Sequence, residues 1–236
     1  MAIETTKARI ESITYKIRDA AEKSGRDMSD ITILGACKQV GIDRILEAVE
    51  LGIANLGESQ VAEAELKFKS LARPSTLQSL HFIGKLQSNK VRRALQLFDV
   101  IQSVDSIRLA SRIDQIAGEL NMSMPIYIQV NIGGQQTKEG IDTEQIEDLV
   151  RLIDGCRNIS LQGLMTVPPH TDHPENSRQY FSELREIGVK VSRMLKKDKD
   201  QLDLSMGMTN DYEIAVEEGA TVVRLGSAIW GPRPYP

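Results

Sequence analysis

The stretch ITILGACKQVGIDRILEAVELGIANLGES, residues 31–59, decides the fold class. It opens on a short apolar run, ITILGACK (31–38). It then becomes a stripe of Ile42, Ile45, Leu46 and Val49, closes at Gly52, and returns to a second short run, IANLG (53–57). Runs of that length bounded by Gly and polar residues read as buried strands, and the stripe reads as a helix with one apolar face. Strand, helix, strand in that order pairs the two strands in parallel through a right-handed crossover.

The same unit recurs along the chain. Further strand-like runs are LHFIGK (80–85), VIQSV (100–104), PIYIQVNI (125–132), LQGLMTV (161–167), LDLSMG (202–207) and TVVRLGS (221–227), which makes eight in all. Helical stripes lie between them: Val61, Ala64, Phe68 and Leu71; Val91, Ala94, Leu95 and Phe98; Leu109, Ile113, Ile116 and Leu120; Ile146, Leu149, Val150 and Ile153. Phe181, Leu184, Val191 and Leu195 fit a longer helix, and a short one spans 211–218. Eight strand–helix units in 236 residues predict an α/β fold, a single closed (β/α)8 TIM barrel forming one domain over residues 1–236. An open doubly wound sheet is the competing reading, but no GxGxxG follows the first strand. Before the first strand, Ile10, Ile13, Ile17 and Ala21 mark an extra N-terminal helix that stops at Gly25. After the last strand no room remains for a second domain.

Composition narrows the function classes. The formal net charge is −4, so no global basic field points to nucleic acid. The opening MAIETTKARIESI lacks the apolar core of a signal peptide, and no run is long enough to span a membrane. The two cysteines, Cys37 and Cys156, are far apart and show no CxxC spacing, which fits a reducing cytoplasm.

In a (β/α)8 barrel the chemistry sits at the C-terminal ends of the strands. Lys38 closes the first strand, and alternation places it on one face with Leu34 and Ala36. A lysine leaving a buried strand favours its neutral, nucleophilic amine, although a snorkelling lysine gives the same pattern. Arg224 interrupts the apolar run TVVRLGSAIW. Being unable to shed its charge, a buried arginine needs an anion, a strong acceptor, or a carboxylate such as Glu58. The small-residue turns from Ser205 to Met208 and at Gly226 and Ser227 follow strands seven and eight, where this fold tends to hold phosphate. His81 reads as a satisfied strand residue, Met165, Met206 and Met208 as core, and His170, Asp172 and His173 as an exposed loop in preference to a metal site. The run KKDKD (196–200) reads as a solvated connector. An amine, an arginine and a phosphate cradle together suit a ligand with an aldehyde, a ring acceptor and a phosphate. Pyridoxal 5′-phosphate (PLP) has all three groups. A phosphate-binding enzyme that uses Lys38 for aldolase-like Schiff bases remains an alternative at this level.

Long stretches then carry a resemblance: ILGACKQV, NLGESQVAEA, LHFIGKLQSNK, VIQSVDS, IQVNIGGQQTKEGI, LQGLMTV and LSMGMTNDYEIAVEEGATVVRLGSAIWG. In these the chain resembles the pyridoxal phosphate homeostasis proteins, which share the alanine racemase N-terminal domain of PLP fold type III. The resemblance covers nearly the whole chain. It implies a non-catalytic PLP-binding protein of intracellular PLP homeostasis, with the cofactor held as a Schiff base on Lys38. It further implies Arg224 facing the pyridine nitrogen, and phosphate contacts at Ser205, Met206, Gly207, Gly226 and Ser227. Asn55, His81 and Met165 match positions near the ring. Cys37 stands where the family commonly has serine, Lys85 replaces a frequent histidine, and Ser59-Gln60 replaces a common Asn-Tyr pair. The expected protein is a cytoplasmic monomer with PLP-accepting enzymes as transient partners. A fold type III enzyme such as an amino-acid racemase is the second reading. It needs an acid–base pair around a substrate carbon, and of the five tyrosines only Tyr212 falls near the mouth.

Overall fold

A computed structural model of the chain describes residues 5–69, 73–133, 139–196 and 202–232. Eight parallel strands close into a barrel in chain order. They are Thr32–Ala36 (β1), Asn55–Glu58 (β2), Ser79–Phe82 (β3), Val100–Val104 (β4), Met124–Gln129 (β5), Ile159–Met165 (β6), Asp203–Ser205 (β7) and Val222–Leu225 (β8). The eighth pairs back onto the first, with Leu34 beside Arg224.

The helices between them are Ile42–Glu50 (α2), Val61–Phe68 (α3), Val91–Leu95 (α4), Ile107–Glu119 (α5), Ile146–Asp154 (α6), Arg178–Met194 (α7) and Tyr212–Glu217 (α8). The extra N-terminal helix spans Thr6–Lys23 (α1), capped by the Thr5 hydroxyl and packed through Ile10, Ile13 and Ile17. A final turn of helix, Ser227–Trp230 (α9), follows β8. Leu71, residues 197–200 of the charged connector and Tyr235 lie outside the described residues. Among the described residues no helix is long and apolar enough to cross a membrane.

The helices form because each has an apolar face to bury against the outside of the barrel. Ile45, Ile113, Ile116 and Phe181 meet outward strand residues such as Leu56, Ile101, Ile126 and Leu164 in one buried cluster. Burying such a side chain contributes roughly 1.5–3 kcal/mol each, which makes this outer layer the main source of stability.

Most strands end earlier than the sequence runs, and two of these ends bear on the site. The first strand stops at Ala36, two residues short of Lys38. Cys37 still donates its N–H to the Gly57 carbonyl, but Gln39 then takes φ 61°, which turns the chain out of the sheet. Lys38 therefore sits in a turn above β1 and not on the strand itself. The seventh strand contracts to three residues because Gly207, at φ 88°, turns the chain immediately after it. A Cβ at Gly207 would lie 2.5 Å from the Ala215 methyl group, so this position is closed to larger residues twice over.

Candidate functional site at the C-terminal mouth of the barrel

Strand register sorts the side chains that face inward. Leu34 pairs with Asn55 and Arg224, Gly57 with His81, and Met165 with Ser205, so these share the interior face. Most barrels of this kind fill that space with branched apolar residues. Here a chain of polar groups crosses it.

Arg224 Nη1 donates to Ser205 Oγ at 2.8 Å, and Ser205 Oγ donates to Gln102 Oε1 at 2.7 Å. The Gln102 amide nitrogen lies 2.8 Å from His81 Nδ1, and His81 Nε2 lies 2.6 Å from Ser79 Oγ. The Ser79 hydroxyl in turn donates to Asn55 Oδ1 at 2.6 Å. Once Ser205 has claimed the Gln102 oxygen, the Gln102 nitrogen must donate, so His81 Nδ1 accepts and the ring proton sits on Nε2. Every donor along the chain then points the same way, from Arg224 to Asn55. His81 and Arg224 are buried, and Gln102 and Ser205 are inaccessible to solvent. Burial holds the His81 imidazole neutral, with its pKa pushed down to about 4.

Arg224 has no carboxylate partner among the described residues. Its second amino group donates to the Thr166 carbonyl at 2.7 Å. Burial lowers its pKa to about 10, with Asp211 opposing from a distance. Glu58, the carboxylate that the sequence offers as its partner, faces the other side of the sheet and pairs with Lys67 of α3. Arg224 lines a cavity of about 520 Å³ together with Ala36, Met208, Asp211, Gly226 and Ser227, and the β6 loop through Pro168 and His170 forms the opposite wall. A guanidinium carries five N–H donors, so the two described bonds leave donors for a ligand in that cavity.

Of the sequence-predicted site residues, Arg224, Gly226 and Ser227 line this cavity, whereas Lys38, Asn55, His81, Met165, Ser205, Met206 and Gly207 are not among its lining residues. Lys38 is half-buried in the turn two residues beyond Ala36. The Ser205 hydroxyl is committed to Arg224 and Gln102, so it supports the arginine from below. The Met206 side chain is buried in the outer apolar cluster, which leaves only its backbone at the turn. Gly207, Gly226 and Ser227 lie where two turns meet: Thr209 of the first accepts from the Ala228 N–H of the second at 3.2 Å. Asp211 tightens the first turn by accepting the Met208 N–H at 2.7 Å and the Ser177 hydroxyl at 3.2 Å. Met165 is buried beneath the cavity, whereas Met208 stands at its rim.

The positions that depart from the family pattern also resolve. Cys37 is fully buried, its thiol directed to the Gly57 carbonyl at 3.3 Å, and burial pushes its pKa well above that of a free thiol. It is therefore a shielded hydrophobe and not a rim nucleophile. Gln60 is an exposed residue at the start of α3, and Lys85 is exposed, 3.9 Å from Glu139. Tyr212 does not reach the mouth; it opens α8 with its ring in the core. Tyr180 comes nearer than its sequence position suggests, lying against Gly133 and Pro169 of the β5 and β6 loops. His170, Asp172 and His173 are exposed, and no group of three metal-binding side chains occurs among the described residues.

Sequence reasoning missed Gln102 and Ser79. The available signal was a glutamine inside the five-residue run VIQSV, on the inward side by alternation.

Comparison with known proteins places this geometry among relatives. Residues 10–234 match the model of the alanine racemase N-terminal domain family. A curated pyridoxal phosphate homeostasis protein of Aquifex aeolicus is 37% identical over 227 residues, covering 96% of this chain and 98% of that protein. A solved structure of a Bifidobacterium adolescentis protein superposes with a TM-score of 0.88 at 32% identity, covering 97% of both chains. PipY of Synechococcus elongatus, solved with PLP bound, superposes with a TM-score of 0.83 at 30% identity, covering 96% of this chain and all of its own.

Proposed function

From the membership of this chain in the pyridoxal phosphate homeostasis protein family, we propose that it binds PLP on Lys38 and serves intracellular PLP homeostasis. The observation that carries this reading is Arg224: a buried cation with no carboxylate partner among the described residues, opening on a cavity at the barrel mouth. Such a charge calls for an acceptor from outside the chain. PLP supplies an aldehyde, a ring nitrogen and a phosphate. The Lys38 amine would add to the aldehyde carbon and water would leave, so that a C=N bond replaces C=O. Arg224 donates to the ring nitrogen and, as a permanent cation, keeps it unprotonated. Phosphate falls to the turns at Gly207, Gly226 and Ser227, with the backbone of Ser205 and Met206 leading in. Asn55, His81 and Met165 form the floor near the ring.

The same site supports a carrier over a catalyst. An unprotonated ring is a poor electron sink, and racemisation needs an acid and a base on opposite sides of one carbon. Among the described residues that line the cavity, the titratable ones are His170, Asp211 and Arg224, and Asp211 is engaged in holding the β7 turn. We extend the proposal to a single-domain monomer acting in the cytoplasm and handing PLP to acceptor enzymes. Two free cysteines agree with a reducing compartment.

The deciding experiment is borohydride reduction of the protein after PLP addition, followed by peptide mass mapping. PLP mass on the Lys38 peptide, lost in Lys38→Ala, is the expected result. A protein that stays colourless and unmodified overturns the assignment. Rapid Cα deuterium exchange on a panel of amino acids, abolished in Lys38→Ala, would replace the carrier by the racemase reading.

A further inference from the structure

The residues on either side of Lys38 in the chain are held by one ionic cluster on the outer face of the barrel. The Lys67 ammonium, on α3, donates to the Cys37 carbonyl at 2.7 Å, to Glu63 at 2.7 Å and to Glu58. These three bonds use all the donors an ammonium has. Glu63, on the same helix, also accepts the backbone N–H of Gln39. The residues immediately before and after Lys38 are thus each held by a charged group. The cluster is shielded: the side chains of Lys67 and Glu58 are 12% and 0% exposed. Burial pulls the Lys67 pKa down, but its bonds to Glu58 and Glu63 outweigh that and raise it.

At the second of the two held residues the backbone is strained. Gln39 adopts φ 61°, a left-handed conformation disfavoured for any residue with a Cβ. Such a conformation persists only where the surroundings over-determine it, and here Lys67 and Glu63 act together with the turn bond from the Val40 N–H to the Cys37 carbonyl at 3.0 Å. We propose that Glu63 and Lys67 are positioning residues that hold the turn so that the Lys38 side chain leaves it toward the cavity. This inference rests on the Schiff-base reading of Lys38, since what it explains is how readily that amine captures an aldehyde. Neither residue lines the cavity; each acts through the backbone at 37 and 39.

The test uses the full-length protein with Glu63→Ala, Lys67→Met, Lys67→Arg, and Glu63→Ala combined with Gln39→Gly. Glu63 is partly exposed, so its alanine variant will fold even where Lys67→Met does not. Losing a hydrogen bond to a charged group corresponds to about ten-fold or more in an equilibrium constant. In PLP-free protein, amide hydrogen exchange at Gln39 should accelerate by about that factor in Glu63→Ala. On mixing with PLP, the rate of visible-band appearance should fall by a similar factor, and the pH midpoint of the band should move. Gln39→Gly should restore part of the rate, because glycine holds φ 61° without strain, and Lys67→Arg should keep more of it than Lys67→Met. Wild-type rate, pH midpoint and Gln39 exchange in both Glu63→Ala and Lys67→Met, even with a lowered melting temperature, overturn the proposal. A wild-type protein that captures no PLP overturns the Schiff-base reading first, and that outcome is visible before any variant is made.

Discussion

Replacing Gln102 by leucine tests the polar chain inside the barrel most directly. The two side chains are close in volume, so no large cavity opens and packing changes little. The loss is in hydrogen bonding. The Ser205 hydroxyl loses its acceptor and His81 Nδ1 loses its donor, both at sites closed to solvent. Each buried group left unpaired costs about 1–3 kcal/mol, and the extra apolar surface of leucine returns about 1–2 kcal/mol. At mid-range values, about 4 kcal/mol lost and about 1.5 kcal/mol returned, the net expectation is a loss of about 2.5 kcal/mol, against a total stability of roughly 5–15 kcal/mol. For a chain of this size that lowers the melting temperature by roughly 5–10 °C. Urea and thermal unfolding of the PLP-free protein, followed by circular dichroism, measure it. Nitrogen-15 NMR of the wild type supplies an independent check, because the chain has only three histidines to assign. His81 should carry its proton on Nε2. A Gln102→Leu variant within about 0.5 kcal/mol of its parent, or a His81 proton found on Nδ1, refutes the directional chain. Gln102→Glu adds a sign test: a carboxylate facing Nδ1 should raise the His81 pKa from its depressed value.

Two further outcomes follow from the same geometry. His81 titrates at about 4 when folded, against an ordinary value near 6.5 when unfolded. Between those values the unfolded chain binds the extra proton, so stability is complete above about pH 6.5 and falls by about 3 kcal/mol as pH drops toward 4. A His81→Gln variant should lose that part of the pH dependence in urea titrations, and an unchanged slope counts against the buried neutral imidazole. Gly163→Ala should destabilise the barrel by about 1–3 kcal/mol or more, because a Cβ there would stand 2.3 Å from the Asp203 carbonyl oxygen. An unaltered urea midpoint would show that β6 and β7 do not approach so closely.

The barrel was legible because its two periodicities are strong. Leu34, Leu56, Ile101 and Leu164 recur in short runs between stripes such as Ile45–Val49 and Ile113–Ile116, and each of the eight runs forms a strand. Lys38, Arg224 and the glycine turns were legible because each breaks a local rule: a cation in an apolar run, or glycines where a strand should continue. What could not be read was which polar groups meet. Gln102 and Ser205 are 103 positions apart, and Ser205 reads as part of a phosphate turn until Arg224 is seen to occupy its hydroxyl. Glu58 is the converse case. Its side chain points out through the sheet because Gly57 and Asn55 take the inward positions, and that parity, not its nearness to the site, decides its partner.

The two networks divide the work of the site between opposite faces of the sheet. Lys67 and Glu63 hold the Lys38 turn from the helix side, while Ser205, Gln102 and His81 hold Arg224 from within the barrel, and the two sets share no residue. Buried ion clusters and hydrogen-bond chains stabilise a fold less than well-packed hydrophobic residues of the same volume. On the proposed PLP reading their presence is preorganisation: the turn that carries Lys38 and the Arg224 guanidinium are each held before a ligand arrives, so less ordering is left to oppose binding. The interior chain keeps its only imidazole neutral and occupied on both nitrogens. The His81 ring is thereby committed on both sides to hydrogen bonds within the barrel.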